Sequence, residues 1–268
     1  MGRLRLRYQA WESDTARSAV LISHGLGEHS ARYSAFAELL ASCHVNVYAL
    51  DHRGHGRSDG RRGHVDSFQQ YLEDFERFRR TILSSLPSGI PLFLLGHSLG
   101  GLIAIRYLQE FSTHYFAGAI LSAPALGISA DVPPWKNALA GFLSYVLPAF
   151  PLSNELDPAD LSHDPAVVAA YLADPLVHDR ITPRLFVEMN KAIQDAFDQR
   201  AKLDIPLLLL LPAEDRIADS EATLRFAGGI PERVSTHVYP DTGHEVLNGG
   251  SRAAAIDAIL AWMAARMA

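Results

Sequence analysis

The sequence predicts an α/β fold with a mostly parallel central sheet that is flanked by helices. Strand-like apolar runs alternate with helix-like segments from the N-terminus to about residue 126, which is typical of parallel strands joined by crossover helices. The run at 205–211 is continuously apolar, as expected of a strand covered on both faces. At 268 residues, the chain is long enough for one large domain with an insertion.

Six segments have the composition expected of strands in this sheet. In chain order they are 18–22, 45–50, 91–95, 118–124, 205–211 and 234–239. Residues 3–8 alternate charged and apolar side chains, and this pattern predicts a further strand at the edge of the sheet. The same charges argue against a signal peptide, so we expect a cytoplasmic protein.

The strand pattern is interrupted at 127–203, where prolines and helix-like segments occur without an obvious strand. An insertion at this point lies above the carboxyl ends of parallel strands. We therefore expect 127–203 to form a helical cap, inserted late in the chain on a core made of 1–126 and 204–268.

Residues 135–147, within the insertion, are strongly apolar and include no acidic side chain. The segment is too short to span a bilayer. Two interpretations stay open. It is either a cap helix packed on the core, or an apolar mouth that makes transient contact with micelles or membrane surfaces and admits acyl chains. The second interpretation would make the protein peripheral at membranes.

Residues 96–100 have the Gly-x-Ser-x-Gly pattern of a nucleophile elbow, centred on Ser98. The pattern follows a predicted strand and precedes a helix-like segment at 101–108, which is the context in which a sharp turn exposes a serine hydroxyl. Gly96 and Gly100 fit such a turn because side chains there would collide across it. An ordinary loop with Ser98 as a helix cap would explain the serine but not both glycines.

A catalytic serine needs a base, and the base needs an acid that orients it. Sheet-based hydrolases carry these groups in the order Ser, Asp or Glu, His. Asp215 follows the predicted strand 205–211, and His244 lies in a turn-rich loop after 234–239, so both fall at carboxyl ends of strands. Glu214 is the competing carboxylate, and we favour Asp215 because a shorter side chain holds imidazole more firmly.

An oxyanion hole requires two backbone N–H donors, one after the nucleophile and one from the loop after an earlier strand. Leu99 would supply the first donor. The His-Gly-Leu-Gly sequence at 24–27 follows a predicted strand ahead of the elbow, so Leu26 would supply the second. The alternative is a glycine-rich turn without a donor role.

Several motifs occur together in an order that resembles one family. They are His-Gly-Leu-Gly-Glu-His-Ser-Ala-Arg-Tyr at 24–33, Asp-His-Arg-Gly-His-Gly-Arg-Ser-Asp-Gly at 51–60, and the segments 96–101, 174–176, 215–217 and 243–244. With these motifs the chain resembles the monoacylglycerol lipases of the α/β-hydrolase fold. The resemblance implies that a lipid ester, most simply a monoacylglycerol, is cleaved to glycerol and a free fatty acid through an acyl-enzyme on Ser98. This chemistry needs no metal and no organic cofactor.

The resemblance also implies a polar pocket for the alcohol head group of the substrate. The positions that match it are Glu28, Arg32, His97 and Tyr171. Considered as residues alone, Glu28 and Arg32 could instead pair on a helix surface, because they are four positions apart. His97 could equally be a structural histidine below the elbow.

The chain departs from the mammalian enzymes at two positions near the expected substrate. His178 stands where those enzymes have a cap cysteine, and Leu247 replaces a second histidine after the catalytic one. Related lysophospholipases and short- or medium-chain carboxylesterases carry similar motifs, so these activities stay open as alternatives. A serine peptidase, an acyltransferase and a non-catalytic ligand-binding module stay open as well.

The composition and charge limit the other functions that the protein could have. The net charge is −6 without a basic stripe, which argues against nucleic-acid partners. His52 and His55 have the spacing of metal ligands, but glycine and arginine dominate that run, so we expect a tight, charge-paired loop and no metal. The one cysteine, Cys43, cannot form an internal disulfide and is expected to be a small buried residue at a helix end.

Overall fold

The computed structural model describes residues 4–111, 113–129 and 133–267. The strands are β1 (Arg7–Trp11), β2 (Ser18–Ser23), β3 (Val45–Asp51), β4 (Leu92–His97), β5 (Phe116–Ser122), β6 (Leu152–Ser153), β7 (Arg180–Ile181), β8 (Leu207–Pro212) and β9 (Val234–Tyr239). The helices are α1 (Ser34–Ser42), α2 (Gln69–Leu83), α3 (Leu99–Glu110), α4 (Pro134–Val146), α5 (Pro165–Ala173), α6 (Pro183–Asp198), α7 (Ser220–Ala227) and α8 (Arg252–Ala264).

Seven of these strands form one sheet, in the order β1-β3-β2-β4-β5-β8-β9. Every neighbouring pair in it is parallel except β1 with β3. Helices pack against both faces of the sheet. The structure thereby confirms the predicted α/β class, with a mostly parallel sheet flanked by helices.

Strand β8 shows why its sequence is a continuous apolar run. Leu207, Leu209 and Leu211 point into a core cluster that includes residues of α2, α3 and α6. Leu208 and Leu210 point into the opposite cluster, which includes residues of α1 and α8. Because successive side chains of a strand alternate between its faces, a sheet covered on both faces leaves no solvated position for a polar residue.

The edge strand begins later than predicted. Residue 3 lies outside the described residues, residues 4–6 are not in a strand, and β1 starts at Arg7. The backbone N–H of Arg5 donates to the carboxylate of Asp59 at 3.0 Å, and the N–H of Asp59 donates to the Arg5 carbonyl at 3.0 Å. The first part of the alternating pattern therefore contacts a loop and does not join the sheet.

Cys43 is exposed, so the prediction of a buried cysteine is wrong. Helix α1 buries Phe36 and Leu40, and a longer helix would place residue 43 on the same face. The helix ends at Ser42, however, and His44 has a φ of 65°. The chain therefore leaves the helical path before the buried face reaches the cysteine.

Between β5 and β8, the described residues form α4, α5, α6 and the short antiparallel pair of β6 with β7. The two-residue strands were not predicted, because such short strands show no alternation in the sequence. Helix α6 contributes Leu185, Ala192 and Ala196 to the same core cluster as α3. The division of the chain into a core and a cap stays a prediction.

Helix α4 leaves much of its apolar surface in solvent. Trp135, Phe142 and Tyr145 are 62%, 63% and 85% exposed, whereas Ser144 is buried. The other side of the helix packs against α6. No helix in the described part of the chain combines the length and the apolar character needed to cross a membrane.

Candidate active site

Ser98 lies in the turn between β4 and α3, at the carboxyl end of the strand. Its backbone has φ 51° and ψ −119°, a conformation that costs a non-glycine residue about 1–3 kcal/mol. The turn is held by a bond from the Ser98 N–H to the carbonyl of Ser122 and by one from the Ala125 N–H to the Ser98 carbonyl, both at 3.0 Å. The side chain of Ser98 makes no capping hydrogen bond, so an ordinary helix cap does not describe this residue.

The glycines around the serine are required by close approach of the backbone. A Cβ atom on Gly96 would lie 2.5 Å from the carbonyl oxygen of Gly100, and a Cβ atom on Gly100 would overlap the carbonyl of Ser23. A Cβ atom on Gly101 would lie 2.7 Å from the side chain of Pro124. These small residues allow β2, β4 and α3 to meet beneath the serine.

Asp215 and His244 meet beyond the ends of β8 and β9. Asp215 accepts a hydrogen bond from Nδ1 of His244 on Oδ2 at 2.8 Å, while Oδ1 accepts the backbone N–H groups of Ile217 at 2.9 Å and Ala218 at 3.0 Å. Burial alone would raise the pKa of Asp215, but His244 and these two backbone donors outweigh burial and lower it. The carboxylate is therefore ionised. Glu214 is exposed, as expected of the competing carboxylate.

His244 lies beside the elbow. An ionised carboxylate only accepts hydrogen bonds, so Nδ1 of His244 carries a proton and Nε2 is left as the acceptor. The ring centroid of His244 is 4.8 Å from that of His97, the residue that directly precedes Ser98. The Asp215–His244 pair thereby lies next to the residue that precedes the serine, and the catalytic roles of Ser98, Asp215 and His244 stay predictions.

The loop that carries Leu26 packs against the elbow. A Cβ atom on Gly25 would lie 3.3 Å from Cβ of Ser98. The carbonyl of Gly25 accepts a hydrogen bond from Nδ1 of His24 at 2.8 Å, which fixes the direction of the chain just before Leu26. Leu99 begins α3, where backbone N–H groups have no acceptor within the helix. Both predicted oxyanion donors therefore belong to segments next to Ser98, and their role stays a prediction.

The far side of the same loop contacts the inserted stretch. Gly27 has a φ of 80°, and its carbonyl accepts the backbone N–H of His178 at 2.9 Å. A Cβ atom on Gly27 would overlap the carbonyl of His178. His178 also donates from Nε2 to the carbonyl of Gly54 at 3.2 Å. Of the two departures from the mammalian pattern, His178 therefore touches this loop, whereas Leu247 is buried in the core cluster of α1 and α8.

The four residues matched to a head-group pocket occupy adjoining positions. The guanidinium carbon of Arg32 is 4.7 Å from the ring centroid of Tyr171, and Nε of Arg32 donates to Glu28 at 3.2 Å. The side chains of this Arg–Glu pair are only 8% and 4% exposed, so the pair does not lie on a helix surface. His97 donates from Nδ1 to the Ser122 carbonyl at 3.1 Å, and burial lowers the pKa of His97 to about 4. A head-group role for the four stays a prediction.

The carboxylate of Glu28 is engaged on both oxygens. Oε1 accepts the backbone N–H of Gly25 at 2.5 Å and the hydroxyl of Tyr33 at 2.8 Å, and Oε2 accepts from Arg32. Burial would raise the pKa of Glu28, but the neighbouring His97 and Arg32 outweigh it and hold the pKa at about 2. Glu28 is thus a buried charge that fixes the loop before Leu26.

Glu245 is a residue of the site that sequence reasoning missed. It directly follows His244 and accepts two hydrogen bonds from Nη2 of Arg32, at 2.6 Å to each carboxylate oxygen. Arg32 and Glu245 are 213 positions apart, so no local pattern could have linked them. The only available signal was the position of Glu245 next to the predicted base.

The glycine-rich loop after β3 is held by backbone-to-carboxylate bonds. Asp51 accepts the N–H groups of Ser30 at 2.8 Å and Arg57 at 2.9 Å. Burial lowers the pKa values of His52 and His55 well below the ordinary range, so both imidazoles are neutral. Within the residues that the structure describes, no group of three or more His, Cys, Asp or Glu side chains could hold a metal ion.

A mostly parallel sheet, with a strained serine after one strand and an Asp–His pair after two later strands, defines an α/β-hydrolase. Solved structures agree. A monoacylglycerol lipase of Paleococcus ferrophilus superposes with a TM-score of 0.88 at 33% identity, covering 98% of this chain and 99% of that one. A soluble variant of the Saccharomyces cerevisiae monoglyceride lipase superposes with a TM-score of 0.89 at 21% identity, over 99% and 93% of the two chains.

The chain belongs to the family described as Serine aminopeptidase, S33 (Hydrolase_4), whose profile matches residues 14–250. A monoacylglycerol lipase of Mycolicibacterium smegmatis is 34% identical over 270 residues, which cover the whole of this chain and 95% of the relative. The rat monoglyceride lipase is 32% identical over 238 residues, covering 88% of this chain and 78% of the relative. The protein is a serine hydrolase that cleaves carboxylic esters.

Proposed function

We propose that the protein hydrolyses monoacylglycerols to glycerol and free fatty acids, with Ser98 as nucleophile, His244 as base and Asp215 as the residue that orients the base. The observation that carries this proposal is the buried Asp215–His244 hydrogen bond of 2.8 Å beside the strained serine. With Nδ1 bonded to Asp215, the imidazole of the resting enzyme has the tautomer that a general base requires.

The reaction proceeds in two halves. In the first, Nε2 of His244 takes the hydroxyl proton of Ser98 while Oγ bonds to the ester carbonyl carbon. The backbone N–H groups of Leu26 and Leu99 donate hydrogen bonds to the carbonyl oxygen as negative charge develops on it. The carbon–oxygen bond to the alcohol then breaks, and the imidazolium returns the proton to the leaving glycerol. In the second half, water attacks the acyl-enzyme in the same way and releases the fatty acid.

The oxyanion donors supply a large share of the rate enhancement. A donor aimed at the developing charge in a site without water is worth roughly 2.7–4 kcal/mol. Leu99 is fully buried at the start of α3, and the Leu26 loop is fixed by the buried Glu28 carboxylate through Gly25. Donors held in this way do not need to reorganise when the tetrahedral intermediate forms.

The choice of a monoacylglycerol rests on the relatives and on polar groups near the serine. Both relatives cited above are named for activity on monoacylglycerols. Tyr171 would donate to the alcohol, because its hydroxyl is protonated at neutral pH and burial raises its pKa further, to about 12. A peptidase activity, which the family description suggests, has no comparable support among those relatives.

The stretch 127–203 would act as the cap of this site, and the exposed face of α4 would contact lipid surfaces. Phe142 and Tyr145 project from that face. We expect the double variant Phe142→Asp plus Tyr145→Asp to bind phospholipid vesicles several-fold more weakly than the wild type in a flotation assay. The matched control is Leu224→Asp, which changes an exposed leucine on α7. Equal vesicle binding by all three proteins would eliminate the surface contact.

The first test of the mechanism is Ser98→Ala. We expect its turnover of monoacylglycerols to fall by about 10⁴-fold or more, because the nucleophile is lost. A fluorophosphonate probe should label the wild type and not this variant, which checks that the serine is the reactive group. Near-normal ester hydrolysis by Ser98→Ala would end the proposal.

The substrate is tested by kinetics on a panel. The panel comprises monoacylglycerols of graded acyl length, lysophospholipids, p-nitrophenyl esters and aminoacyl amides, and we expect the highest kcat/KM on a monoacylglycerol. A higher value on lysophospholipids would favour the phospholipase alternative, which a Bacillus subtilis phospholipase, 27% identical over 90% of this chain, also represents. Product analysis with added glycerol would reveal acyl transfer in place of hydrolysis.

A further inference from the structure

One buried guanidinium joins two loops that approach the serine from different sides. Arg32 donates from Nε to Glu28 at 3.2 Å and from Nη2 to both oxygens of Glu245 at 2.6 Å. Its side chain is 8% exposed, and the side chains of both partners are 4% exposed. Three of the five N–H donors of Arg32, on Nε and Nη2, are thereby engaged with carboxylates, and the two donors on Nη1 take no part in these bonds.

The first arm of this arrangement leads to the loop that precedes the elbow in the chain. Glu28 fixes the backbone N–H of Gly25 at 2.5 Å, and Gly25 packs against Ser98. Tyr33 holds the same carboxylate oxygen at 2.8 Å. A shift of Glu28 would thus move the backbone next to Leu26.

The second arm leads to the loop of the base. Glu245 is bonded to His244 through the chain, and its carboxylate also accepts from Nδ2 of Asn248 at 3.0 Å. The backbone N–H of Glu245 donates to the carbonyl of Leu161 at 2.8 Å. The side chain and the backbone of Glu245 therefore hold the loop at three points, and the pair with Arg32 is the only one of these three that leads to the Gly25 loop.

The charges of Arg32, Glu28 and Glu245 make this arrangement sensitive to substitution. Two buried carboxylates share one guanidinium. Burial raises the pKa of Glu245, Arg32 opposes this effect, and the neighbouring charge of Glu28 adds to it. Removing the guanidinium would leave two buried carboxylates without a cation, whereas removing one carboxylate leaves a one-to-one ion pair and breaks the link to the loop on that side.

We propose that Arg32 and Glu245 are positioning residues, which form a brace that sets the distance between the Gly25 loop and the His244 loop. This inference rests on the proposed function, because the groups that the brace positions are the oxyanion donors and the base of that mechanism. It also gives Arg32 a role other than the head-group contact that the family resemblance implies. A guanidinium suits this task because its N–H groups lie in one plane with fixed directions, so that Nε holds Glu28 while Nη2 holds Glu245, which the single ammonium of a lysine cannot reproduce.

The test uses Arg32→Lys and Glu245→Gln in the full chain, with Arg79→Lys as a matched control. Arg79 forms a comparably buried pair with Glu76, from Nε at 2.9 Å and from Nη2 at 2.8 Å, but both residues lie on α2. The substrates are monobutyrin and p-nitrophenyl butyrate, which carry the same acyl group on different alcohols. Amide hydrogen exchange of the segments around Gly25 and His244 is measured in parallel.

If Arg32 and Glu245 form a brace, Arg32→Lys and Glu245→Gln should each lower kcat/KM by the same factor on the two esters. We expect a factor of about 10 to 100, because small displacements of reacting groups slow the reaction strongly. Amide exchange should become faster in both loops, although only one of them carries the substitution. Arg79→Lys should change neither readout.

A loss confined to monobutyrin would overturn the brace, because it would make Arg32 a ligand of the alcohol. Unchanged exchange in the loop remote from each substitution would also overturn it. If the wild type hydrolyses neither ester, the proposed function fails, and the exchange measurement still decides whether the two loops are coupled.

Discussion

Asp215→Asn separates the charge of the carboxylate from its shape. In the native site, Oδ1 accepts two backbone N–H groups, from Ile217 and Ala218, and Oδ2 accepts Nδ1 of His244. An asparagine has one oxygen and one NH₂ group for these three donors. The side chain must therefore choose which neighbours it satisfies.

The choice follows from the number of hydrogen bonds. If the amide NH₂ faced the backbone, two buried N–H groups would lose their acceptor at about 1–3 kcal/mol each. The amide oxygen will therefore stay with Ile217 and Ala218, and the NH₂ group will face His244. The imidazole must then accept on Nδ1 and carry its proton on Nε2, so it can no longer take the proton of Ser98. The corresponding substitution in the serine proteases lowers kcat by about 10⁴-fold, roughly 5.5 kcal/mol, and we expect a similar loss here.

The assay is steady-state hydrolysis of p-nitrophenyl butyrate at neutral pH, with thermal unfolding to check that the variant is folded. Glu214→Gln is the matched control, because it neutralises the adjacent, exposed carboxylate. We expect the control to retain the activity of the wild type. A folded Asp215→Asn enzyme whose kcat is within tenfold of the wild type would refute the tautomer argument.

Two further predictions concern stability. Gly100→Ala should abolish activity and lower the melting temperature strongly, because its Cβ would overlap the Ser23 carbonyl. The Cβ of Gly141→Ala, in the exposed part of α4, would meet no atom within 4 Å, so this substitution should raise the free energy of unfolding by about 0.5–1 kcal/mol. Equal melting temperatures for the two variants would contradict the packing described at the elbow. The pKa of Glu28 is lowered from 4.5 to about 2, so its ionisation stabilises the fold above about pH 4.5, and that contribution is lost as the pH falls towards 2. Glu28→Gln should flatten the dependence of the urea midpoint on pH in that range, and an unchanged slope would show that Glu28 does not contribute.

The sheet and the order of the candidate catalytic residues could be predicted because local signals specify them. The strand of 234–239 was predicted with the bounds of β9, and the apolar run at 205–211 overlaps β8. Ser98 was found because a sharp turn demands glycines on both sides, and this demand is visible within five residues. Asp215 and His244 follow from the rule that side chains at the carboxyl ends of parallel strands share one edge of the sheet.

The partners of buried charges could not be predicted in the same way. The spacing of Glu28 and Arg32 indicated a pair, but not that it is buried or that Glu245 completes it. The prediction that Cys43 is buried was wrong for a related reason. Helical periodicity describes a residue only while the helix continues, and the end of α1 at Ser42 depends on the turn that leads into β3.

The hydrogen bond between Gly27 and His178 links the Leu26 loop to the segment before β7. Since the carbonyl of Gly27 accepts the His178 N–H at 2.9 Å, the segment before β7 cannot swing outwards unless this bond breaks or the Leu26 loop travels with it. If 127–203 is the proposed cap and Leu26 the proposed oxyanion donor, movement of the cap near His178 away from the site and a complete oxyanion hole would exclude each other, unless the hinge lies beyond His178.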